Sequence, residues 1–240
     1  MKKLFLLAVV ALGFTTAQAQ SASGRSTSFF STEKSDEGIT FGVRAGSNIN
    51  SFTGDVDDAT GQVGFRIGAV ADIPIIESLH FEPGLYFSTR PCERTGAVLD
   101  GYDSYAWTVK YNPSYLELPL MLSYRYNFSE NWGWRVNFGP YIAYGLGGKA
   151  KYSDTDGDTW SGKLFGSYKD EYGDKEESRF NRLDVGLQFS TSATYKRFML
   201  EVGYQVGLTN INNEYFYVGY DEDRATVKNS GVFIQLGYNF

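Results

Sequence analysis

Eight segments of this chain alternate large apolar residues with small or polar residues at every second position. Successive side chains of a β-strand point to opposite faces, so this period of two predicts strands rather than helices. Each segment is long enough to cross a bilayer as a tilted strand, which takes about 9–11 residues. The segments cover residues 39–50, 62–73, 79–90, 114–126, 132–146, 182–195, 198–209 and 231–240.

The connections between the segments alternate between long and short. Long polar connections fall at residues 51–61, 91–113, 147–181 and 210–230, and short ones at 74–78, 127–131 and 196–197. Outer-membrane barrels show this asymmetry, with short periplasmic turns and long loops outside the cell. The sequence therefore predicts an all-β fold, an eight-stranded antiparallel up-and-down transmembrane β-barrel. An even number of strands places both termini on the periplasmic side.

Alternation alone does not say which face of the strands lies inside. A soluble lipocalin-like barrel would bury the large apolar side chains and expose the other set. Here the second set is rich in Gly and Ser and also carries Arg and Glu, which suits a narrow polar interior. Aromatic residues gather near the short turns, as in the aromatic belts at membrane interfaces. We therefore expect the apolar face to point towards lipid.

The N-terminal residues have the features of a secretory signal peptide. Two lysines precede a short apolar run, and Ala17-Gln-Ala19 then places small residues where a cleavage site requires them. The apolar run is too short to span a bilayer as a helix, and an N-terminal membrane anchor is the alternative. We predict a signal peptide at 1–19, a flexible periplasmic leader at 20–38 and an outer-membrane β-barrel at 39–240. This architecture predicts the outer membrane of a Gram-negative bacterium.

Charge and residue usage argue against several classes of function. The formal net charge of −6 argues against a nucleic-acid partner, and Cys92 has no second cysteine to pair with. The only histidine, His80, falls beside a short turn, whereas barrel enzymes hold a catalytic histidine near the outer rim. Asp154, Asp156 and Asp158 resemble part of a calcium loop that lacks its closing residues, and a solvated acidic loop is the alternative. We predict no enzyme activity, no cofactor and no metal.

The predicted inner face carries nearly balanced charges. An eight-stranded barrel leaves an interior just wide enough for side chains, and an unpaired buried charge is costly. We therefore expect a structural network of ion pairs that fills the lumen, with a polar permeation path as the alternative. Glu82 and Glu201 are expected to pair with Arg125 or Arg135. The network comprises Arg44, Arg66, Glu82, Glu117, Arg125, Arg135, Asp184 and Glu201, with Asp72 and Arg182 on the same face.

The sequence YLELPL at residues 115–120 is the most specific part of a resemblance that covers almost the whole chain after the signal peptide except the loops. By these residues the chain resembles a known family, the PorT-type outer-membrane β-barrel proteins of Bacteroidota. The resemblance implies a barrel fold and, for the PorT members, assistance to protein secretion, although the family is functionally broad. The other matching stretches are residues 41–48, 64–74, 81–86, 138–143, 184–187 and 204–211 and the closing strand.

The function predicted from these features is a non-enzymatic barrel, structural or surface-binding through its long loops. A PorT-like accessory role in secretion is the second hypothesis, and an enzyme that modifies outer-membrane lipid is the third. Tyr238 and Phe240 close the last strand and are expected to act as an assembly signal. The expected partners are outer-membrane lipid and lipopolysaccharide, the barrel-assembly machinery, and a protein or glycan ligand at the loops, because loops on a rigid scaffold commonly carry binding residues.

Overall fold

The computed structural model describes residues 38–56, 58–100, 103–155, 157–166, 168–169, 175–176, 180–213 and 225–240. The predicted signal peptide, and the predicted leader apart from Gly38, lie outside these residues and stay predictions. None of the described residues forms a helix long and apolar enough to span a membrane. The strands are β1 (Thr40–Gly54), β2 (Ala59–Ile76), β3 (Leu79–Thr89), β4 (Cys92–Asp100), β5 (Asp103–Asn127), β6 (Trp132–Asp154), β7 (Thr159–Lys163), β8 (Tyr168–Lys169), β9 (Lys175–Glu176), β10 (Leu183–Tyr195), β11 (Phe198–Gly207) and β12 (Val227–Asn239).

Eight of these strands form a closed antiparallel ring. Around the ring the order is β1, β2, β3, β5, β6, β10, β11 and β12. The first and last strands close it, with register pairs running from Gly42 opposite Asn239 to Gly54 opposite Val227. The eight-stranded antiparallel barrel predicted from the alternation is confirmed, and the strand limits differ from the predicted segments mainly at the ends beside the long loops.

One long connection was predicted incorrectly. Residues 91–113 were expected to form a polar loop, but β4 pairs with the first half of β5 from Cys92 opposite Tyr111 to Asp100 opposite Asp103. Trp107, Val109 and Tyr111 alternate along this part of β5, and such β-branched and aromatic residues favour strands. Arg90 and Pro91 separate β3 from β4, whereas β5 runs through Pro113 without a break.

Beyond the ring, four strands continue as a sheet that we call the extension. It consists of β4, β7, residues 103–113 of β5 and residues 148–154 of β6. β5 has 25 residues and β6 has 23, whereas about 9–11 residues suffice to cross a bilayer. The extension therefore stands clear of the membrane at the end of the barrel that carries the long connections, which we call the loop end. The opposite end, with the three short turns, is the turn end.

The two faces of the wall have opposite character. Outward side chains are apolar and exposed to the barrel's surroundings: Val63 is 70% exposed and Leu236 is 67% exposed. Inward side chains on the same strands are polar and buried, as with Arg66, which is 1% exposed. A soluble barrel would show the reverse arrangement. The apolar face therefore lies outside, where lipid can cover it.

Side chains from the loops cover the lumen at the loop end. Backbone hydrogen bonds hold these loops inward: Phe180 N donates to Leu164 O (3.0 Å), and Asn181 N donates to Ile211 O (2.7 Å). The Phe52 and Phe180 rings meet edge to face at 5.5 Å. We call this buried cluster the apolar plug; it comprises Phe52, Cys92, Val109, Tyr115, Tyr141, Ala143, Ala150, Leu164, Phe165, Phe180, Ile211 and Val227.

Candidate functional site

Arg90 is the centre of the charged lumen below the apolar plug. It directly follows β3 and is 1% exposed. Its Nε donates to Glu117 Oε1 (2.9 Å), its Nη2 lies 2.8 Å from the same oxygen, and its Nη1 donates to Asp184 Oδ2 (2.6 Å). These charge-assisted bonds join β3 to β5 and to β10, on separate parts of the wall. One arginine thus bridges two buried carboxylates.

Neutral side chains complete the central cluster. Gln205 Nε2 donates to Glu117 Oε2 (3.2 Å) and to Gln188 Oε1 (2.9 Å), and Ser88 Oγ donates to Glu117. Asn229 Nδ2 donates to Asp184 Oδ2 (3.0 Å). The charged oxygens are therefore satisfied from several strands, which is what burial of a carboxylate requires.

Arg66 and Arg90 are each held between aromatic rings. The Arg66 guanidinium lies 4.1 Å from the Tyr86 ring centroid and 4.6 Å from that of Phe233. The Arg90 guanidinium lies 5.0 Å from the Tyr115 centroid. Such cation–π contacts gain strength where water is excluded. Arg66 Nη2 also lies 3.7 Å from Glu117 Oε2, which links both arginines to one acid.

A second charged cluster lies at the turn end. Arg125 contacts both Asp72 and Glu82, and Arg135 Nη1 lies 3.0 Å from Glu82 Oε1. His80 Nδ1 lies 2.8 Å from Asp72 Oδ1. The contact expected between Glu82 and the two arginines is present. His80 is buried in this cluster, away from the loop end.

Glu201 does not sit beside Arg125 or Arg135, so its expected pairing was wrong. It instead accepts hydrogen bonds from Ser190 Oγ (2.5 Å), Gln235 Nε2 (2.6 Å) and Asn137 Nδ2 (3.3 Å). The reason is register, because Gln235 on β12 stands directly opposite Glu201 on β11. Amide and hydroxyl donors on the neighbouring strands satisfy this carboxylate locally.

Two of the predicted inward arginines, Arg44 and Arg182, contact groups other than the lumen carboxylates. Arg44 Nη2 donates to Asn239 Oδ1 (2.8 Å), so it ties β1 to the end of β12. Arg182 Nη1 donates to Gly145 O (2.7 Å), and its guanidinium lies 5.8 Å from the Tyr144 ring centroid and 5.6 Å from that of Phe165. Tyr144 is 50% exposed on the outer face, and Phe165 is buried in the apolar plug. Arg182 just precedes β10 and lies between these two rings.

Arg90 was missed as an inward residue by the sequence reasoning, although the signal was present. Positions 80, 82, 84, 86 and 88 alternate inward along β3, and position 90 continues that series. Arg90 closed the predicted segment 79–90, but its side chain was not assigned to the inward set. With Arg90 included, five buried or nearly buried arginines face five carboxylates in the lumen: Arg44, Arg66, Arg90, Arg125 and Arg135 against Asp72, Glu82, Glu117, Asp184 and Glu201.

The candidate calcium loop is only partly described, because Asp156 lies outside the described residues. Asp154 Oδ1 accepts a hydrogen bond from Asp158 N (2.9 Å), and Gly157 has a φ of 91°. Asp154 therefore takes part in the tight turn between β6 and β7. Within the described part of the chain, no three His, Cys, Asp or Glu side chains are grouped as metal ligands.

Comparison with known proteins gives the family. The profile described as "Outer membrane protein beta-barrel domain" matches residues 17–213. No curated protein matches the chain.

Several solved structures are similar over most of the chain at low identity. Ail of Yersinia pestis, in complex with the heparin analogue sucrose octasulfate, is 14% identical, with 84% of this chain and 99% of that chain covered and a TM-score of 0.36. Neisserial surface protein A is 13% identical, with 85% and 100% covered and a TM-score of 0.35. TM-scores this low are no evidence for the fold, and the fold assignment rests on the strand pairing alone. The family match extends over most of the chain, and the protein therefore belongs to the outer membrane protein beta-barrel domain family.

Proposed function

We propose that the protein is a non-enzymatic outer-membrane barrel with a closed lumen that acts through surface binding at its loop end. The observation that carries this proposal is the position of Arg90, whose guanidinium bridges Glu117 and Asp184 across the lumen. The apolar plug covers the loop end above it. Permeation would require both to be displaced, and a buried ion pair is costly to break.

Planar-bilayer recordings test the closed lumen. We expect the folded protein to give no steady conductance, because paired charges and packed side chains fill the interior of an eight-stranded barrel. Arg90→Gln combined with Phe180→Ala removes the central bridge and part of the apolar plug and should produce measurable openings, whereas Lys228→Gln on the loop-end part of β12 should not. A stable open current from the unchanged protein would overturn the closed lumen.

The proposed orientation places both termini in the periplasm and the extension outside the cell. It is supported by the three short turns at the end where β1 begins and β12 ends. Single cysteines introduced by Ser153→Cys on the extension or Lys196→Cys at a short turn, in a Cys92→Ser background, can be probed on intact cells with a membrane-impermeant maleimide. We expect only the Ser153→Cys variant to be labelled. Labelling of the Lys196→Cys variant alone would reverse the orientation.

The extension is the proposed binding element for a protein or glycan ligand. It stands beyond the membrane-crossing length on strands anchored in the barrel, and a rigid scaffold of this kind suits recognition. Replacing residues 95–108 with Asn-Gly would join Arg94 to Val109, which are register partners, through a tight hairpin turn. Crosslinking on cells should then lose the partners captured by the complete protein. Capture that is unchanged by this shortening would refute the extension as the binding element.

A PorT-like accessory role in secretion is the second candidate. Its support is the resemblance at residues 115–120, yet Tyr115 and Glu117 within that stretch are fully buried and contact the lumen network. This stretch therefore supports a shared barrel interior more directly than a shared role. If deletion of the gene reduces the amount of secreted protein at the cell surface, the secretion role is favoured. The third candidate is an enzyme, and hydrolysis or acyl transfer on lipid A by the purified barrel would favour it.

A further inference from the structure

The outer face of the extension brings four lysines together just beyond the membrane-facing surface. Lys110 on β5 is the register partner of Lys151 on β6, and Lys149 on β6 is the register partner of Lys163 on β7. Like charges directly opposite each other on neighbouring strands destabilise a sheet. Two such pairs on adjacent strands form a local concentration of positive charge, and we call these four residues the lysine face.

Only a small part of this charge is balanced within the protein. Lys110 Nζ lies 3.3 Å from Glu93 Oε2, a pair whose lysine is 59% exposed and which therefore contributes little. Among the residues that the structure describes, no carboxylate lies within salt-bridge distance of Lys149, Lys151 or Lys163. Within the described part of the chain, three of the four lysines of this face thus carry charge that no carboxylate balances.

A change of register in β6 creates this face. Ser114 pairs with Gly147 while Tyr115 pairs with Gly145, so Leu146 is an extra residue that forms a β-bulge. A bulge re-aims the side chains that follow it. Beyond it, Ala150 points into the apolar plug at 1% exposure, while Lys149 and Lys151 point outward.

The height of the lysine face matches the boundary of the membrane. Tyr144 and Leu146, 50% and 47% exposed, are the last large outward side chains of β6 before the lysines. Lys149 follows Leu146 by about 10 Å along the strand, at roughly 3.3 Å per residue, and strand tilt shortens this height further. Arg182, whose Nη1 lies 3.5 Å from Leu146 O, adds a positive charge at the same level.

A recess at this boundary joins apolar and basic surfaces. It has a volume of about 540 Å³ and is lined by Asn112, Leu146, Gly148, Lys149, Lys163 and Phe165. Leu146, 47% exposed, supplies apolar contact on the side of the membrane, and Phe165 forms the buried floor of the recess at 5% exposure. The two lysines supply charge on the side of the solvent. A ligand with an anionic head and an acyl chain matches this arrangement.

We infer that the recess and the lysine face bind the phosphorylated headgroup of an outer-leaflet lipid, with phosphate oxygens contacting Lys149 and Lys163. A soluble anion would satisfy the charges alone, but it would not account for the apolar floor or for the position beside the lipid-facing residues. The inference rests on the proposed orientation, with the extension outside the cell. The maleimide labelling described above tests that orientation independently of lipid binding.

Lipid titrations of the folded barrel in detergent, read by native mass spectrometry, test this inference. The probes are lipid A carrying two phosphates and the same lipid after removal of its phosphates. We expect the full chain to prefer the phosphorylated probe by about tenfold or more, since each lysine near an anionic lipid surface adds to binding. Lys149→Gln combined with Lys163→Gln should abolish most of that preference, and Lys149→Arg with Lys163→Arg should restore it.

Matched controls separate the site from general charge effects. Lys196→Gln combined with Arg197→Gln removes the same charge at the turn end and should keep the preference. A heat-dependent shift in gel mobility should show that every variant is folded. Equal binding of the two lipids by the full chain, or an unchanged preference after loss of Lys149 and Lys163, would overturn the inference. So would binding of inorganic phosphate as tight as that of the phosphorylated lipid, because the apolar part of the recess would then contribute nothing.

Discussion

Arg90 Nη1 lies 2.6 Å from Asp184 Oδ2 and so connects the end of β3 to β10, two strands that are not neighbours in the barrel. Both residues are buried, and both also contact other members of the central cluster. Since the wall strands already hold each other through backbone bonds, this contact acts across the lumen. It fixes the distance between two parts of the wall.

The first prediction concerns stability. Arg90→Met should lower the free energy of unfolding by about 3–5 kcal/mol, because it leaves Asp184 buried without its cation and Glu117 with only the longer contact to Arg66. Urea titration in detergent, followed by tryptophan fluorescence and gel mobility, measures this loss. Lys110→Met, which breaks the exposed pair with Glu93, is the control and should cost at most about 1 kcal/mol. The double variant Arg90→Met with Asp184→Asn should lose less free energy of unfolding than the sum of the losses of the two single variants. A loss equal to that sum would mean that the two residues are not coupled.

A glycine in the wall gives the second prediction. A Cβ on Gly46 would lie 2.0 Å from Ile234 O and 2.5 Å from Gln235 Cα on the closing strand. Gly46→Ala should therefore push β12 away from β1 and destabilise the barrel by about 1–3 kcal/mol. Gly147, where a Cβ would meet nothing within 4 Å, provides the matched control. Equal effects of the two alanine substitutions on urea unfolding would contradict the close approach.

The third prediction concerns assembly. Phe240 N donates to Phe41 O (2.8 Å), and the Phe240 and Tyr238 rings meet at 5.5 Å. As an assembly signal, Phe240 should affect insertion more than final stability, because its ring is 65% exposed at the outside of the barrel. Phe240→Ala should slow the appearance of folded protein in vesicles that contain the assembly machinery. Phe65→Ala, also lipid-facing, should leave this rate nearly unchanged.

A fourth prediction follows from the buried thiol of Cys92 in the apolar plug. Burial raises the pKa of this thiol above its usual value, so less thiolate is present at a given pH, and the thiolate is the reactive form. Maleimide should therefore label Cys92 slowly in the folded protein, faster as the pH rises, and fully after unfolding. The thiol introduced by Ser153→Cys on the exposed extension should react far faster. Comparable rates at neutral pH would show that the plug is open to solvent.

The alternation predicted the wall well because a strand that separates lipid from a polar lumen must change character at every residue. Positions such as Val63 and Arg66 follow from that requirement alone. The extension was missed because residues 91–113 were predicted as a polar loop, whereas pairing with β6 keeps β5 continuous through Pro113. Strand pairing of this kind is a tertiary effect that a single segment does not display.

The lumen contacts were only partly predictable for the same reason. Inward position could be inferred for Glu117 and Glu201, but partners depend on the register between strands. Gln235 stands opposite Glu201, and no pattern within β11 indicates it. Likewise Leu164, Phe180 and Ile211 lie in irregular segments, and their meeting in the apolar plug depends on how the loops fold over the mouth.

The pairing of β12 with β1 has a consequence for biogenesis. β12 is the last of the eight strands to be synthesised, so β1 must wait for its partner while nearly the whole barrel is translated. Until then the sheet has two open edges with unsatisfied backbone groups, which invite pairing with other chains. The ring therefore cannot close stepwise as the chain emerges, and both edges stay open to wrong partners until β12 is in place.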